Sequence, residues 1–300
     1  MSLDRVSALV HGNPASLSAM LAHFSAAGGV YTSVAQRDGE LLQIGQIHHV
    51  PGERSAHLSF LLEQEPFDEA AVCVLLENLV VQAGEWGASN VLAAVNETET
   101  VFTSLRRVGF TVYSRQEVWR VPDWQHLDGA QREQEWQEAT PLDSEPVLRL
   151  CNALLPLLVQ RAEEGFSFCP KGLVVRSEDQ ILAYVQVISG PRGICLLPLF
   201  HPQVTDLRPL LVALTVKLKR LVLSPLERPV YILVRSYQAG LSGVLEELGA
   251  EKLDEQALLV KHLAVRHRQP VSEKQFSSID RRARPTSPMV RQSHSIKKTD

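Results

Sequence analysis

The sequence predicts an α/β protein of the α+β kind: two tandem copies, each a mostly antiparallel central sheet flanked by helices. Laid on itself at an offset of 139 to 140 residues, the chain repeats in pattern rather than in identity. Within each copy, short alternating strands give way to apolar stripes at helical spacing. The chain is also large enough, since 300 residues with 45% apolar content supply two medium cores better than one.

Each copy opens with a short strand and a helix. Val6-Ser-Ala-Leu-Val leads into Asn13-Pro-Ala-Ser-Leu, where Asn13 can cap and Pro14 suits the first helical position; Gln137-Glu-Ala-Thr leads through Ser144 into Val147-Leu-Arg-Leu-Cys. A three-strand meander follows at 31–36, 39–47 and 56–62, and again at 172–176, 180–188 and 194–200, with Arg37-Asp38-Gly39 and Ser189-Gly190-Pro191 among the turns. Next come helices over 68–85 and 206–222, whose stripes include Val72, Leu75, Leu76 and Leu79 in one and Leu210, Leu211, Leu214 and Leu218 in the other. Asn90-Val-Leu-Ala-Ala-Val and Val230-Tyr-Ile-Leu-Val are continuous apolar strands, which suits burial on both faces. Helices at 100–108 and 241–248 then end on Gly109 and Gly249, and final strands run over 112–121 and 257–265.

The polar stretch from Pro122 marks the boundary, giving copies at 1–122 and 136–267 with a linker at 123–135. From Arg266 onward the net charge is +6, against −10 for the rest. That segment has too few large apolar residues to offset its ordering entropy, so 268–300 reads as a disordered basic tail able to touch polyanions or its own body. The acidic body argues against specific nucleic-acid binding. No apolar run is long enough to span a membrane, and the first residues lack the pattern of a secretory signal, so the expected location is the cytoplasm. The four cysteines form no CxxC pair, and His48-His49 point to opposite faces of a strand, so no metal site is expected. Trp86, Trp119, Trp124 and Trp136 read as packing residues, and Lys217, Lys219 and Arg220 as a solvated helix face.

This order of elements resembles the GNAT (Gcn5-related N-acetyltransferase) superfamily, twice over residues 1 to 265. The local pieces that carry the likeness are Trp86-Gly-Ala-Ser-Asn-Val-Leu-Ala-Ala-Val and Phe102-Thr-Ser-Leu-Arg-Arg-Val-Gly-Phe. The resemblance implies acetyl-CoA or another acyl-CoA bound in a notch between two splayed central strands, with acyl transfer to a small-molecule or protein amine. It places cofactor contacts on the backbone of Leu61, Phe67, Ala70, Ala71 and Val72, where a helix N-terminus presents free N–H groups.

This chain departs from the family pattern at several of those places. The loop Gln/Arg-x-x-Gly-x-Gly/Ala is matched here by Phe67, Ala70 and Val72, and in the second copy by Asp206, Pro209 and Leu211. Asp68 and Glu69 put negative charge where an anion would sit, and Pro209 has no N–H. The tyrosine that protonates the leaving thiolate is replaced by Leu105 and Leu245. Glu63 is the candidate general base, with Glu65 beside it; a Glu beside a helix start is more often a solvated or dipole-pairing residue. His57 and His201 carry the same double reading. Two functions are therefore open: an N-acyltransferase with a degenerate cofactor loop and no tyrosine acid, or a non-catalytic tandem module that binds a metabolite or a partner.

Overall fold

A computed structural model describes residues 1–12, 29–37, 40–63, 67–124, 127, 135–163, 172–177, 180–221, 228–238 and 240–264. Met1–Val265 form one compact unit. The first copy contains α1 (Arg5–His11), β1 (Val30–Arg37), β2 (Glu40–His49), β3 (Ser55–Glu63), α2 (Glu69–Glu85), β4 (Asn90–Val95), α3 (Thr100–Arg107) and β5 (Thr111–Val121). The second contains β6 (Gln137–Glu138), α4 (Ser144–Leu154), α5 (Leu157–Ala162), β7 (Leu173–Ser177), β8 (Gln180–Ser189), β9 (Ile194–Phe200), α6 (Leu207–Leu221), β10 (Val230–Arg235), α7 (Leu241–Glu247) and β11 (Glu251–His262). The helix expected from Asn13, most of the linker and the basic tail lie outside the described residues.

Two elements differ from the sequence reading. The run Val6–Val10 is helical rather than extended, because Asp4 caps it and accepts the Ser7 N–H at 3.0 Å. A short apolar run suits either state, and here the cap decides. The last strand begins at Glu251 rather than Ala257. Its charged start is held along β5, where Lys252 reaches Glu117 at 2.6 Å and Arg120 pairs with Glu251.

Among the described residues, all strands join in one sheet of eleven, in the order β1-β2-β3-β4-β11-β5-β10-β9-β8-β7-β6. The copies thus exchange their last strands. β11 pairs antiparallel with β4 of the first copy, while β5 pairs antiparallel with β10 of the second. The cores follow suit. Ala257 and Leu259 from β11 pack with Leu58, Leu76 and Leu105, whereas Trp119 and Val121 from β5 pack with Leu196, Leu211 and Leu245. The buried indoles of Trp124 and Trp136 are satisfied by the carbonyls of Leu248 and Leu210, at 2.8 and 2.9 Å.

Helix α1 belongs to the first copy and rests on the second. The Val10 carbonyl accepts the Arg192 N–H at 2.9 Å from the β8–β9 turn. A Cβ at Gly190 would fall 2.3 Å from that same carbonyl oxygen, so the close approach requires glycine. Gly109 and Gly249, at φ 91° and 74°, end α3 and α7 in the left-handed conformation that the repeat predicts.

Candidate functional site

β3 and β4 run parallel and pair only where Ser55, Ala56 and His57 meet Asn90, Val91 and Leu92. Beyond that they part, and the residues Met1-Ser2-Leu3 lie between them as an added strand. The Leu3 N–H donates to the Ser59 carbonyl at 3.0 Å, the Leu61 N–H donates to the Met1 carbonyl at 3.1 Å, and the Ala94 N–H donates to the Leu3 carbonyl at 2.8 Å. The Met1 nitrogen donates to the Leu61 carbonyl. Leu3 itself is 1% exposed and packs in the first copy's core. Backbone groups that a bound chain would use at Leu61 are therefore paired within the protein.

The start of α2 is also occupied. Asp68 is the cap, and its carboxylate accepts the Ala71 N–H at 3.1 Å while its carbonyl accepts the Val72 N–H at 3.0 Å. Glu69 pairs with Arg107 at 2.7 Å. The Val72 side chain points into the core with no exposed surface, Ala70 is exposed, and Phe67 is half-buried against the same core. Leu105 and Leu245 are both fully buried core residues. Glu63 ends β3, and Glu65 lies outside the described residues.

The second copy repeats the parting of strands. β9 and β10 pair over Ile194–Leu196 and Val230–Ile232 only. Past this point Gln238 ties the two together: its Nε2 donates to the Pro198 carbonyl, and its Oε1 accepts the Arg235 N–H at 2.7 Å. Leu211, at the position of the family's last loop residue, is fully buried. His201 accepts the Gln203 N–H at 3.2 Å and touches Gln180, in the loop after β9.

His57 leaves the core face on which Ala56 and Leu58 sit and stacks on His48, with ring centroids 5.2 Å apart. His49 stacks instead on Trp86, so the adjacent histidines do face opposite ways. His57 helps line a cavity of about 620 Å³ on the sheet face opposite α2, α3, α6 and α7. Both copies build it. Leu92 and Ala94 come from β4, Gln116 from β5, Leu258 from β11, Arg235 from β10, and Gln186 from β8, with α1 along one side.

Its polar floor is a buried ion pair. Arg235 Nη2 lies 2.9 Å from Glu163, and the Tyr113 hydroxyl donates to the same carboxylate oxygen at 2.6 Å. Burial, then the neighbouring Glu163 charge, push the Tyr113 phenol well above its ordinary pKa, so it remains a donor. These residues come from separate strands and a helix end, and no local motif marks them. Among the described residues, no three His, Cys, Asp or Glu side chains are grouped to hold a metal, and no helix is long and apolar enough to cross a membrane.

No protein-family model matches the chain, and neither does any curated protein sequence. Solved structures do. A functionally unknown conserved protein from Staphylococcus epidermidis is 11% identical with a TM-score of 0.52, covering 77% of this chain and 94% of its own. A GCN5-related N-acetyltransferase from Sphaerobacter thermophilus is 14% identical with a TM-score of 0.50, covering 86% and 90%. Together with the repeated element order and the two partings of parallel strands, this likeness identifies the chain as having the GCN5-related N-acetyltransferase fold, in two tandem copies that share one sheet.

Proposed function

We propose that this protein is a non-catalytic tandem acetyltransferase fold that binds a small molecule between its copies instead of an acyl-CoA in either notch. One observation carries the reading: Met1–Leu3 fills the gap between β3 and β4 with backbone hydrogen bonds to both strands. Support comes from the Asp68 carboxylate at the start of α2, from Gln238 bridging the second gap, and from leucines in place of a proton donor at 105 and 245. An anion at α2 would have to displace a carboxylate from the N–H it already holds, against like charge. The free thiols of Cys73, Cys151 and Cys195 suit a reducing compartment, the cytoplasm.

The alternative is acyl transfer from acetyl-CoA or another acyl-CoA to a small-molecule or protein amine, with Glu63 as base and Met1–Leu3 displaced. The parting of β3 and β4 favours it. Calorimetric titration with acetyl-CoA and free CoA separates the two readings, using the full chain and a variant lacking residues 1 to 3. The expected result is no binding at millimolar ligand by either protein. Micromolar binding by either one overturns the proposal and makes a screen of acceptor amines the next step.

A further inference from the structure

The two edges of the sheet are finished differently. β6 is two residues long and is followed closely by Pro141, so it offers little to pair with. β1 is eight residues long, carries no charge from Val30 to Gln36 and, among the described residues, pairs only with β2. The Gly29 carbonyl accepts the His49 N–H at 2.6 Å, so Gly29 turns toward β2. By alternation Tyr31 and Ser33 do the same, while Val30, Thr32 and Val34 turn their N–H and C=O groups outward. Those three side chains share one face of the strand, and both valines are exposed.

The helix over that edge is apolar on its outside as well as its inside. α2 lies over β1 and β2, with Val72, Leu75, Leu76 and Leu79 turned into the core. α3 flanks it on one side, where Cys73 Sγ reaches the Ser104 carbonyl and Glu69 pairs with Arg107. Because α3 follows β4, that side looks toward the middle of the sheet. At 3.6 residues per turn, Ala71, Val74, Asn78 and Gln82 fall on the opposite side, above the open edge, with Val81 next to them. None of these is charged. Val74 and Val81 are 57% and 61% exposed, although a β-branched residue is a poor helix former unless packing rewards it.

Strand and helix fit one occupant. Strands in a sheet lie about 4.8 Å apart, so joining two β1 edges across a twofold axis puts helices that straddle β1 and β2 about 10 Å apart, which is helix-packing distance. The midpoints agree too. Gly45, the β2 partner of Ser33, packs beneath Leu75 and Leu79, so an axis through Thr32 runs close to the middle of α2. Val30 then faces Val34 of the partner subunit, and Asn78, whose amide both donates and accepts, meets its own equivalent. Such self-complementarity is what a twofold interface requires. With no charge on the row, an acidic or basic partner finds nothing there to pair with. The joined faces cover about 1,000 Å², near the lower bound for a specific interface, which suits a micromolar dimer.

We infer that β1 and α2 form a docking face for a second molecule of this protein, which continues the sheet by antiparallel β1–β1 pairing and sets α2 against α2. The inference stands apart from the question of catalysis. Its test is sedimentation equilibrium of the full chain from low to high micromolar concentration, with hydrogen exchange at both ends of the range. A monomer–dimer equilibrium should appear, and the amides of Val30, Thr32 and Val34 should gain protection as the dimer fills. Val34→Lys and Asn78→Asp change exposed residues only. Each should weaken the dimer about tenfold or more by setting like charges near the axis, while thermal melting of the monomer stays at the parent value. Added salt should restore part of the loss. A monomer throughout, with the three amides exchanging fast, would leave the edge bare and overturn the assignment. The same monomer with those amides protected would overturn it in favour of cover by another segment of the chain, and a dimer indifferent to both substitutions would place the contact elsewhere.

Discussion

Gln116 and Gln256 are 140 residues apart, equivalent in the repeat, and bonded to each other at 3.0 Å as direct partners across β5 and β11. A residue that meets its own repeat equivalent stands on the pseudo-twofold axis between the copies. The exchange of last strands follows from that symmetry, since β5 and β11 cross the axis side by side and each completes the other copy's core.

Unfolding is expected to be a single event. Trp86 packs on the first core, and Trp119, Trp124 and Trp136 in the second, so denaturant titration followed by fluorescence and by far-ultraviolet circular dichroism should give coincident midpoints. Separate transitions for the two signals would show that each copy holds together without the exchanged strand.

Leu3→Ala should lower stability by about 2–4 kcal/mol, because the side chain is 1% exposed in a packed core. Chemical denaturation measures it. A loss under roughly 0.5 kcal/mol, the range of surface substitutions, would mean that the added strand is not seated in solution.

Asp143 gives a stability that depends on acid. Burial alone would raise its pKa, but Arg176, which reaches its two oxygens at 3.0 and 2.5 Å, and Thr140 outweigh burial and hold the carboxyl below its ordinary value. A lowered folded pKa means that this contribution is complete above the unfolded value of about 3.9 and is lost as pH falls through the folded one. Asp143→Asn should cost roughly 1–3 kcal/mol at neutral pH. The difference from the parent should shrink below about pH 4, and a difference that stayed constant to lower pH would contradict the pairing.

Cys151 and Cys195 should be inert in the folded protein. Burial pushes their thiols up to about 11 and about 12. At pH 8 only about one in a thousand and one in ten thousand would be thiolate, the form that reacts. Peptide mapping after iodoacetamide should find both unlabelled until denaturant is added; labelling of native Cys195 at the rate of a free thiol would mean that β9 opens.

Most elements were legible because their signals are local. The stripe over Glu69–Glu85, the unbroken apolar strand Asn90–Val95 and the glycines after α3 and α7 depend on neighbours in sequence, and they stand where the patterns put them. Strand exchange was not legible. Leu259 needs an apolar layer beneath it whether that layer comes from its own copy or the other, so the pattern is the same in both cases. The Val6–Val10 run was misread for a different reason: a short apolar run suits strand or helix, and the Asp4 cap just before it decides for the helix. At the start of α2, the buried Val72 follows the helical stripe read from the sequence, whereas the segment lying between β3 and β4 is about sixty residues away from the strand it joins.

Because β11 is among the last parts of the compact unit to be made, β4 waits for its partner until nearly all of that unit has left the ribosome. During synthesis the growing first copy carries an open strand edge and a core short of Ala257 and Leu259. Such a chain is vulnerable to pairing with its neighbours on the same message, and at about 5–20 residues per second the exposure lasts several seconds or more. The exchanged strands thus confine the first copy's open edge to the time of synthesis, since the finished sheet covers it.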